Sequence, residues 1–213
     1  MLQAILCIFA KPPVPGKVKT RLIPAVDSVQ AARLAAAFLE DVTQTCRQIP
    51  KTRTIIATDG DWSKNLEPPR GIELWQQGGG DLGNRMERIL ERALQSAPLA
   101  IAIGADVPLI SAEILQDAIE KLQQADAVLG PSEDGGYYLL GLRRSKPGLL
   151  ENLPWSQSHT RQATHQRLES LGLTVAETQV LFDIDTPQDL RRIEKHHQCP
   201  ATHGILREIR RSL

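Results

Sequence analysis

The sequence predicts one α/β domain over residues 1–213, a three-layer αβα sandwich built on a mostly parallel sheet. Short apolar segments typical of strands alternate with longer amphipathic segments typical of helices, which is the order of βαβ units. Residues 99–105 form a run without charge or polar alternation, as expected for a parallel strand covered by helices on both faces. The sequence contains no internal repeat, low-complexity tract or long linker that would divide the chain.

The first half of the chain supplies most of the predicted strands. Three prolines and a glycine in residues 11–16 exclude both helix and strand there, so a loop must follow the first strand. Ser28 and Ser111 are predicted N-caps. The predicted strands are residues 2–10, 52–58, 72–75 and 99–105, and the predicted helices are residues 28–47, 84–95 and 112–124.

The second half contains one strand pair and the remaining helices. The Glu-Asp-Gly-Gly sequence at Asp134 indicates a hairpin or a sharp switch between two strands. Thr186 followed by Pro187 is a strong helix start, since proline is favoured at the first helical position. The predicted strands are residues 127–130, 137–142 and 180–182, and the predicted helices are residues 160–171, a helix beginning at 187, and the tail 199–213.

Composition excludes several classes of protein. The 25 Lys and Arg residues equal the 25 Asp and Glu residues in number, so no global basic surface indicates a nucleic-acid partner. No apolar run is long enough to span a membrane. The widely spaced Cys7, Cys46 and Cys199 predict neither disulfides nor a structural zinc site, and indicate a reduced, cytoplasmic protein. Oligomeric state is open, with a homodimer among the alternatives.

A basic loop follows the first predicted strand. Four cations lie within eleven positions, beside Gly16, and these are Lys11, Lys17, Lys19 and Arg21. Such a loop suits a pyrophosphate, which backbone N–H groups and side-chain charges would bind together. It is not a Walker A loop, because its first glycine is missing and the lysine after Gly16 is followed by valine. A solvated basic turn is the alternative.

A glycine-rich segment, residues 76–83, precedes the second predicted helix and adds candidates for nucleotide binding. Glycine permits close approach of a ligand, and Asp81 is placed to bond a ribose or a base edge. Gly83 and Arg85 are further candidates from the same segment. Capping of the helix by Asp81 or Asn84 is an equally good interpretation.

Acidic residues follow several strands and are candidates for metal binding and acid–base chemistry. Asp106 ends the central strand, and Asp185 follows another apolar segment, so the two make a sensible pair for Mg²⁺ or Mn²⁺ bound to phosphate oxygens. Asp183 lies beside them. In the strand-pair turn, Glu133 and Asp134 are candidates for orienting or deprotonating an acceptor hydroxyl. A simple turn former is the alternative for Asp134.

Taken together, these segments resemble the DUF2064 family of GT-A-like glycosyltransferases. The matching segments are residues 9–22, 80–86, 103–108, 130–137 and 183–187. The resemblance implies a Rossmann-like GT-A fold that holds a nucleotide diphosphate at the strand ends, with a metal on Asp106 and Asp185. Glycosyltransferases of this fold usually carry Asp-X-Asp at the first metal position, whereas Gly104 and Ala105 precede Asp106 here. The single acid is more like the nucleotidyltransferases of the wider superfamily.

Three functions follow as expectations. The first is metal-dependent glycosyl transfer from a nucleotide sugar to a small-molecule acceptor. The second is nucleotidyl transfer from a nucleoside triphosphate to a phosphorylated small molecule, with release of pyrophosphate. The third is nucleotide binding without catalysis. Because the same residues would serve the first two reactions, the fold alone does not decide between them.

Overall fold

A computed structural model of the chain describes residues 1–23, 25–62, 66–196 and 198–211. It is an α/β structure with one sheet. The strands are β1 (Ala4–Ala10), β2 (Thr52–Thr58), β3 (Glu73–Gln76), β4 (Leu99–Gly104), β5 (Ala127–Pro131), β6 (Tyr137–Leu142) and β7 (Val175–Glu177). The helices are α1 (Ser28–Arg47), α2 (Leu82–Leu94), α3 (Ala112–Lys121), α4 (Thr160–Ser170), α5 (Pro187–Ile193) and α6 (Pro200–Arg211). The last two residues of the predicted tail helix lie outside the described residues.

The sheet has the strand order β3-β2-β1-β4-β6-β5-β7. Strand β1 pairs in parallel with β2 and β4, and β2 with β3 and β5 with β7 are also parallel. Only β6 among the described strands runs antiparallel to its neighbours, β4 and β5. The predicted mostly parallel sheet and the predicted pairing of the strands around Asp134 are therefore confirmed.

Alternating residues of β1 enter separate cores on the two faces of the sheet. Leu6 and Ile8 pack with buried residues of α1 and α3. Ile5 and Cys7 pack on the opposite face with buried residues of α2 and α4. Because β1 is apolar on both faces and central in the sheet, the three-layer arrangement follows from its composition. A third cluster joins the outer face of α1 to α5 and α6.

Two local predictions were wrong. The N-cap of α1 is Asp27 rather than Ser28, because Asp27 and Gln30 exchange side-chain-to-backbone hydrogen bonds in a capping box. Residues 180–182 do not form a strand; Leu181 makes one isolated bridge with Ser132. The edge strand is instead β7, a three-residue segment too short to show a period in the sequence.

The strand order creates a switch point between β1 and β4. The chain leaves β1 toward β2 on one side, and it reaches β4 on the other side only after β2, β3 and α2. At such a point the loops after the two strands diverge and leave a crevice beyond their carboxyl ends. The basic loop follows β1, and Asp106 follows β4. The crevice therefore lies between these two groups of residues, which the sequence predicts to bind phosphate and metal.

No helix in the described part of the chain is both long and apolar enough to cross a membrane. Cys7, Cys46 and Cys199 are buried free thiols.

The buried carboxylate of Asp41 fastens α6 to α1. Its oxygens accept hydrogen bonds from the backbone N–H groups of Ala201 and Thr202, at 2.9 Å each, and from the Thr202 hydroxyl at 2.6 Å. Asp41→Ala leaves these donors buried without partners, so we expect the free energy of unfolding to fall by about 3 kcal/mol. Urea denaturation measures this. The neighbouring Glu40→Ala is the control and should change stability by less than about 0.5 kcal/mol; equal effects of the two variants would contradict the assignment.

Candidate functional site

The segment that carries Asp185 is held directly against the end of β4. The backbone N–H of Ile184 donates to the carbonyl oxygen of Asp106 at 3.0 Å. On the other side, the N–H of Ala105 donates to the carbonyl of Phe9 in β1 at 3.2 Å. These bonds bring three chain segments, each distant in sequence, to one edge of the sheet.

Lys19 lies between the two predicted metal ligands. Its Nζ is 2.7 Å from Asp185 Oδ1 and 3.3 Å from Asp106 Oδ2, and its side chain is only 12% exposed. Arg21 lies on the outer side, with Nη1 3.6 Å from Asp185 Oδ2. The two carboxylates therefore converge on a position that a cation already occupies.

Lys19 combines a strained backbone with a side-chain pKa that the two carboxylates raise. Its backbone is left-handed, with φ of 46°, which costs a residue other than glycine about 1 kcal/mol or more. Burial by itself lowers the pKa of Lys19, but the charges of Asp106 and Asp185 and their hydrogen bonds outweigh it, so the pKa is raised. Lys19 is thus a fixed ammonium ion, and the surrounding structure compensates for its strained backbone.

A second group of charges lies at the end of β2. Asp59 Oδ2 accepts from Arg85 Nη1 at 2.7 Å, and Lys11 Nζ lies 3.9 Å from the same oxygen. Gln77 is buried beside them and donates to the carbonyl of Ala57 at 2.8 Å. Asp59 holds Arg85 and Lys11 at one wall of the crevice, so it is a positioning residue; the sequence shows only an Asp-Gly-Asp turn signal at this point.

The crevice has two connected lobes. The basic lobe has a volume of about 630 Å³, and five cationic side chains line it, from Lys11, Lys17, Lys19, Arg21 and Arg85. The acidic lobe has a volume of about 300 Å³ and is lined by aromatic and apolar residues together with three carboxylates, from Asp106, Asp134 and Asp183. Asp106 and Trp155 belong to both linings. Phosphate groups therefore suit one lobe, and a second substrate suits the other.

Asp106 and Asp185 fit a divalent cation that also binds phosphate. Among the described residues, no group of three or more His, Cys, Asp or Glu side chains could hold a metal by itself. Mg²⁺ is commonly bound through one or two carboxylates, with substrate phosphates and water completing its shell. The convergence of both carboxylates on the Lys19 ammonium shows that their oxygens can share one cation. The pair thus fits a divalent cation whose other ligands are phosphate oxygens and water.

The remaining predicted nucleotide-binding residues have structural roles or lie at the margin. The Asp81 side chain caps α2 in a capping box with Asn84, and Asp81 is exposed. Gly83 packs against the 150–155 segment, where an added Cβ would lie 2.4 Å from the carbonyl oxygen of Leu150. Gly16 supplies the left-handed turn of the basic loop, with φ of 75°. None of these three residues is in the described lining of either lobe.

The two predicted catalytic acids are separated by the structure. Asp134 lines the acidic lobe, and its Oδ1 also accepts from the backbone N–H of Gly136 at 2.8 Å. Glu133 lies outside the described lining and pairs with both terminal nitrogens of Arg192, at 2.8 and 2.9 Å. Glu133 and Arg192 are 59 positions apart in the sequence, so no local pattern reveals that they pair. Of the two acids, Asp134 is the one that lines the crevice, and the catalytic role of each stays a prediction.

Asp183 has an unusual environment for a carboxyl group. Burial, followed by the nearby charges of Asp106 and Asp134, raises its pKa from the ordinary 3.8 to about 7. Its Oδ1 accepts a hydrogen bond from Ser132 Oγ at 3.1 Å, which opposes part of that increase. The group therefore changes charge near neutral pH in the metal-free protein.

This shift predicts a pH dependence of stability. The folded protein binds the Asp183 proton more tightly than the unfolded chain does, so the free energy of unfolding falls as pH rises from about 4 to about 7. Asp183→Asn removes this decrease, and the variant should exceed the wild type in stability at pH 8. Melting temperatures of both proteins, measured between pH 4 and 8 without divalent metal, test the expectation. Parallel curves for the two proteins would show that Asp183 is not responsible.

The chain is similar to known proteins over most of its length. A family model described as "Uncharacterized protein conserved in bacteria (DUF2064)" matches residues 42–157. The 2-phospho-L-lactate guanylyltransferase of Methanobrevibacter smithii is 24% identical over 193 residues, which cover 90% of this chain and 85% of that protein. The protein of the same name from Methanothermobacter thermautotrophicus is 25% identical over 193 residues, which again cover 90% of this chain and 85% of that protein.

A solved structure is similar over nearly the whole chain. It is a candidate nucleotide-diphospho-sugar transferase from Desulfovibrio desulfuricans G20, 30% identical to this chain, with a TM-score of 0.87. The match covers 98% of this chain and 95% of the other. The fold predicted from the sequence, that of the nucleotide-diphospho-sugar transferases, is thereby confirmed. With more than half of its residues matched by the family model, this chain belongs to the DUF2064 family.

Proposed function

We propose that the protein is a nucleotidyltransferase that joins the nucleoside monophosphate part of a nucleoside triphosphate to a small-molecule acceptor. The observation that carries the proposal is the arrangement of Asp106 and Asp185 around one cation position at the edge of a basic lobe. The guanylyltransferase relatives, matched over 90% of this chain, support this reaction more than glycosyl transfer. So does the single acid at the end of β4, which has Gly104 and Ala105 before it.

In this reaction an ionised phosphate oxygen of the acceptor, which has no proton to lose, attacks the α-phosphorus. A new bond forms from that oxygen to phosphorus, the bond from phosphorus to the α,β-bridging oxygen breaks, and pyrophosphate leaves with the bond electrons. Enzymes of this kind act mainly by positioning the groups and by stabilising the developing charge. The basic lobe supplies fixed cations for that purpose.

Each side chain has a definite role in the proposal. Lys19 and Arg21 bind the phosphates that become pyrophosphate, while Lys11 and Arg85, oriented by Asp59, bind the donor at the opposite wall. Asp106 and Asp185 would hold Mg²⁺ or Mn²⁺, which when bound neutralises charge on the phosphate oxygens. Asp134 and Asp183 face the acceptor from the acidic lobe.

Glycosyl transfer is the second candidate, and one observation favours it. The Desulfovibrio desulfuricans protein, which is 30% identical, carries a name from the nucleotide-diphospho-sugar transferases. In that reaction the same cations would stabilise a departing nucleoside diphosphate. The difference between the two reactions is therefore the bond that breaks, and product analysis separates them.

The test is a comparison of released products. Four nucleoside triphosphates and a set of nucleotide sugars are each incubated with the protein, Mg²⁺ and a pool of phosphorylated and hydroxylated acceptors. The proposal predicts that pyrophosphate forms from one triphosphate in proportion to the coupled product. Release of a nucleoside diphosphate from a nucleotide sugar, without pyrophosphate from any triphosphate, would instead establish glycosyl transfer.

A further inference from the structure

The acidic lobe differs sharply in charge from the basic lobe next to it. No Lys, Arg or His occurs among its described lining residues, whereas the carboxylates of Asp106, Asp134 and Asp183 do. Asp106 faces the metal position at the junction of the lobes, which leaves Asp134 and Asp183 as the charges of the interior. A substrate in this lobe therefore meets the negative charge of these two side chains.

Nearby basic residues are not free to compensate these carboxylates. Arg161, at the start of α4, binds Glu177 at 2.7 Å. Arg192 is held by Glu133 on the outer surface, at 2.8 and 2.9 Å. Lys19 is occupied by Asp106 and Asp185 on the side of the basic lobe. At pH 8, where Asp183 is ionised, none of these three basic residues neutralises the carboxylates of the acidic lobe.

The carboxylates of the lobe offer only one kind of hydrogen-bonding group when they are ionised. Ionised carboxylates only accept hydrogen bonds. Asp183 Oδ1 accepts from Ser132 and Asp134 Oδ1 accepts from Gly136, while no described residue donates a hydrogen bond to the second oxygen of either group. A ligand in the lobe satisfies these oxygens with donors, such as hydroxyl or ammonium groups, and another carboxylate has none to offer.

An aromatic wall completes the lobe. The rings of Tyr137 and Trp155 lie edge to face, with centroids 6.3 Å apart, and Met86 also lines this space. Such a wall suits the C–H surfaces of a small hydroxylated compound. The volume of about 300 Å³ is at the small end of ligand pockets.

We propose that the acidic lobe selects an acceptor whose body, apart from the reacting group, carries hydroxyl or ammonium groups, and that it rejects an acceptor whose body is anionic. This inference rests on the proposed function, because it makes the lobe the acceptor site of that reaction. It distinguishes this chain from the relatives named for 2-phospho-L-lactate, a compound whose body carries a carboxylate. A phosphate as the reacting group is compatible with it, since that group would lie at the junction with the basic lobe.

The test uses two probes that differ only in the charge of one group. Glycerol 3-phosphate and 3-phosphoglycerate share a carbon chain, and one carries a hydroxymethyl group where the other has a carboxylate. Their affinities are measured by calorimetry at pH 8 with Mg²⁺, in the presence and absence of α,β-methylene triphosphate analogues of the four nucleosides. We expect glycerol 3-phosphate to bind at least about tenfold more tightly, as like charges repel at short range inside a pocket.

Variants locate the selectivity in the lobe. In the double variant Asp134→Asn, Asp183→Asn, the difference between the probes should shrink to within about threefold, mainly through tighter binding of 3-phosphoglycerate. Asp117→Asn is the matched control, because it also removes a carboxylate but from a surface pair with Lys121 on α3. The control should keep the selectivity of the wild type.

The outcomes are separable from those of the proposed function. Equal binding of the probes, preference for 3-phosphoglycerate, failure of both probes to bind, or unchanged selectivity in the double variant would overturn the inference. If no triphosphate analogue binds with Mg²⁺, the proposed nucleotidyl transfer fails instead. In that case, the affinities of the two probes measured without the analogue still show whether the lobe prefers the hydroxylated or the anionic compound.

Discussion

Asp106→Asn should reduce turnover by about 10²–10³-fold while the protein stays folded. The substitution keeps the shape of the side chain but removes the charge that Lys19 contacts at 3.3 Å and that would bind the divalent cation. Loss of one preorganised electrostatic contact in an active site costs rates of this order in well-studied enzymes. Pyrophosphate release measures the rate, and thermal unfolding shows whether the fold is intact.

The control for Asp106→Asn is Asp117→Asn, whose carboxylate pairs with Lys121 on the surface of α3. It should keep at least about half of the activity, because surface substitutions of this kind change little. Normal turnover by Asp106→Asn would show that Asp106 is not part of the active site. An equal loss of turnover in Asp117→Asn would contradict the assignment as well.

Lys19→Met should lower turnover by about 10²-fold and should also change metal binding without nucleotide. Lys19 and a divalent cation compete for the same oxygens of Asp106 and Asp185. Without the ammonium, the two carboxylates repel each other, so Mg²⁺ should raise the melting temperature of the variant more than that of the wild type. Nucleotide affinity should fall, because a phosphate-binding charge is lost.

Lys17→Met is the comparison for Lys19→Met. Lys17 also lines the basic lobe, but it is exposed two positions earlier in the same loop. Its loss should cost less than about tenfold in turnover and leave the response to Mg²⁺ unchanged. If Lys19→Met and Lys17→Met behave alike, Lys19 has no special position between the carboxylates.

The sequence predicts the fold well where composition alone determines an element. The uncharged residues 99–105 predict the central strand β4, and Thr186 followed by Pro187 predicts the start of α5. The misplaced cap of α1 has a local cause: Asp27 and Ser28 are both good caps, and the reciprocal bond from Gln30 favours the first. The edge strand β7 depends on pairing with β5, which is tertiary information.

The site was predictable in its location but not in its pairings. Charges that follow parallel strands must collect at one edge of the sheet, which is why Asp106 and the basic loop could be placed together. The bridge from Lys19 to Asp185 spans 166 positions, and the pair of Glu133 with Arg192 spans 59. Such contacts have no local pattern. A sequence motif therefore could not show that Lys19 pairs with the two carboxylates, or that Glu133 pairs with Arg192 outside the crevice.

The most direct test of the proposed reaction follows the α-phosphate itself. A nucleoside triphosphate labelled at that phosphate is incubated with the protein, Mg²⁺ and an acceptor from the pool that supports pyrophosphate release. Nucleotidyl transfer predicts that the label enters a product resistant to phosphomonoesterase, with one pyrophosphate formed for each labelled product. If the label stays in free nucleotides while a sugar moves from a nucleotide sugar to the acceptor, the central claim is wrong.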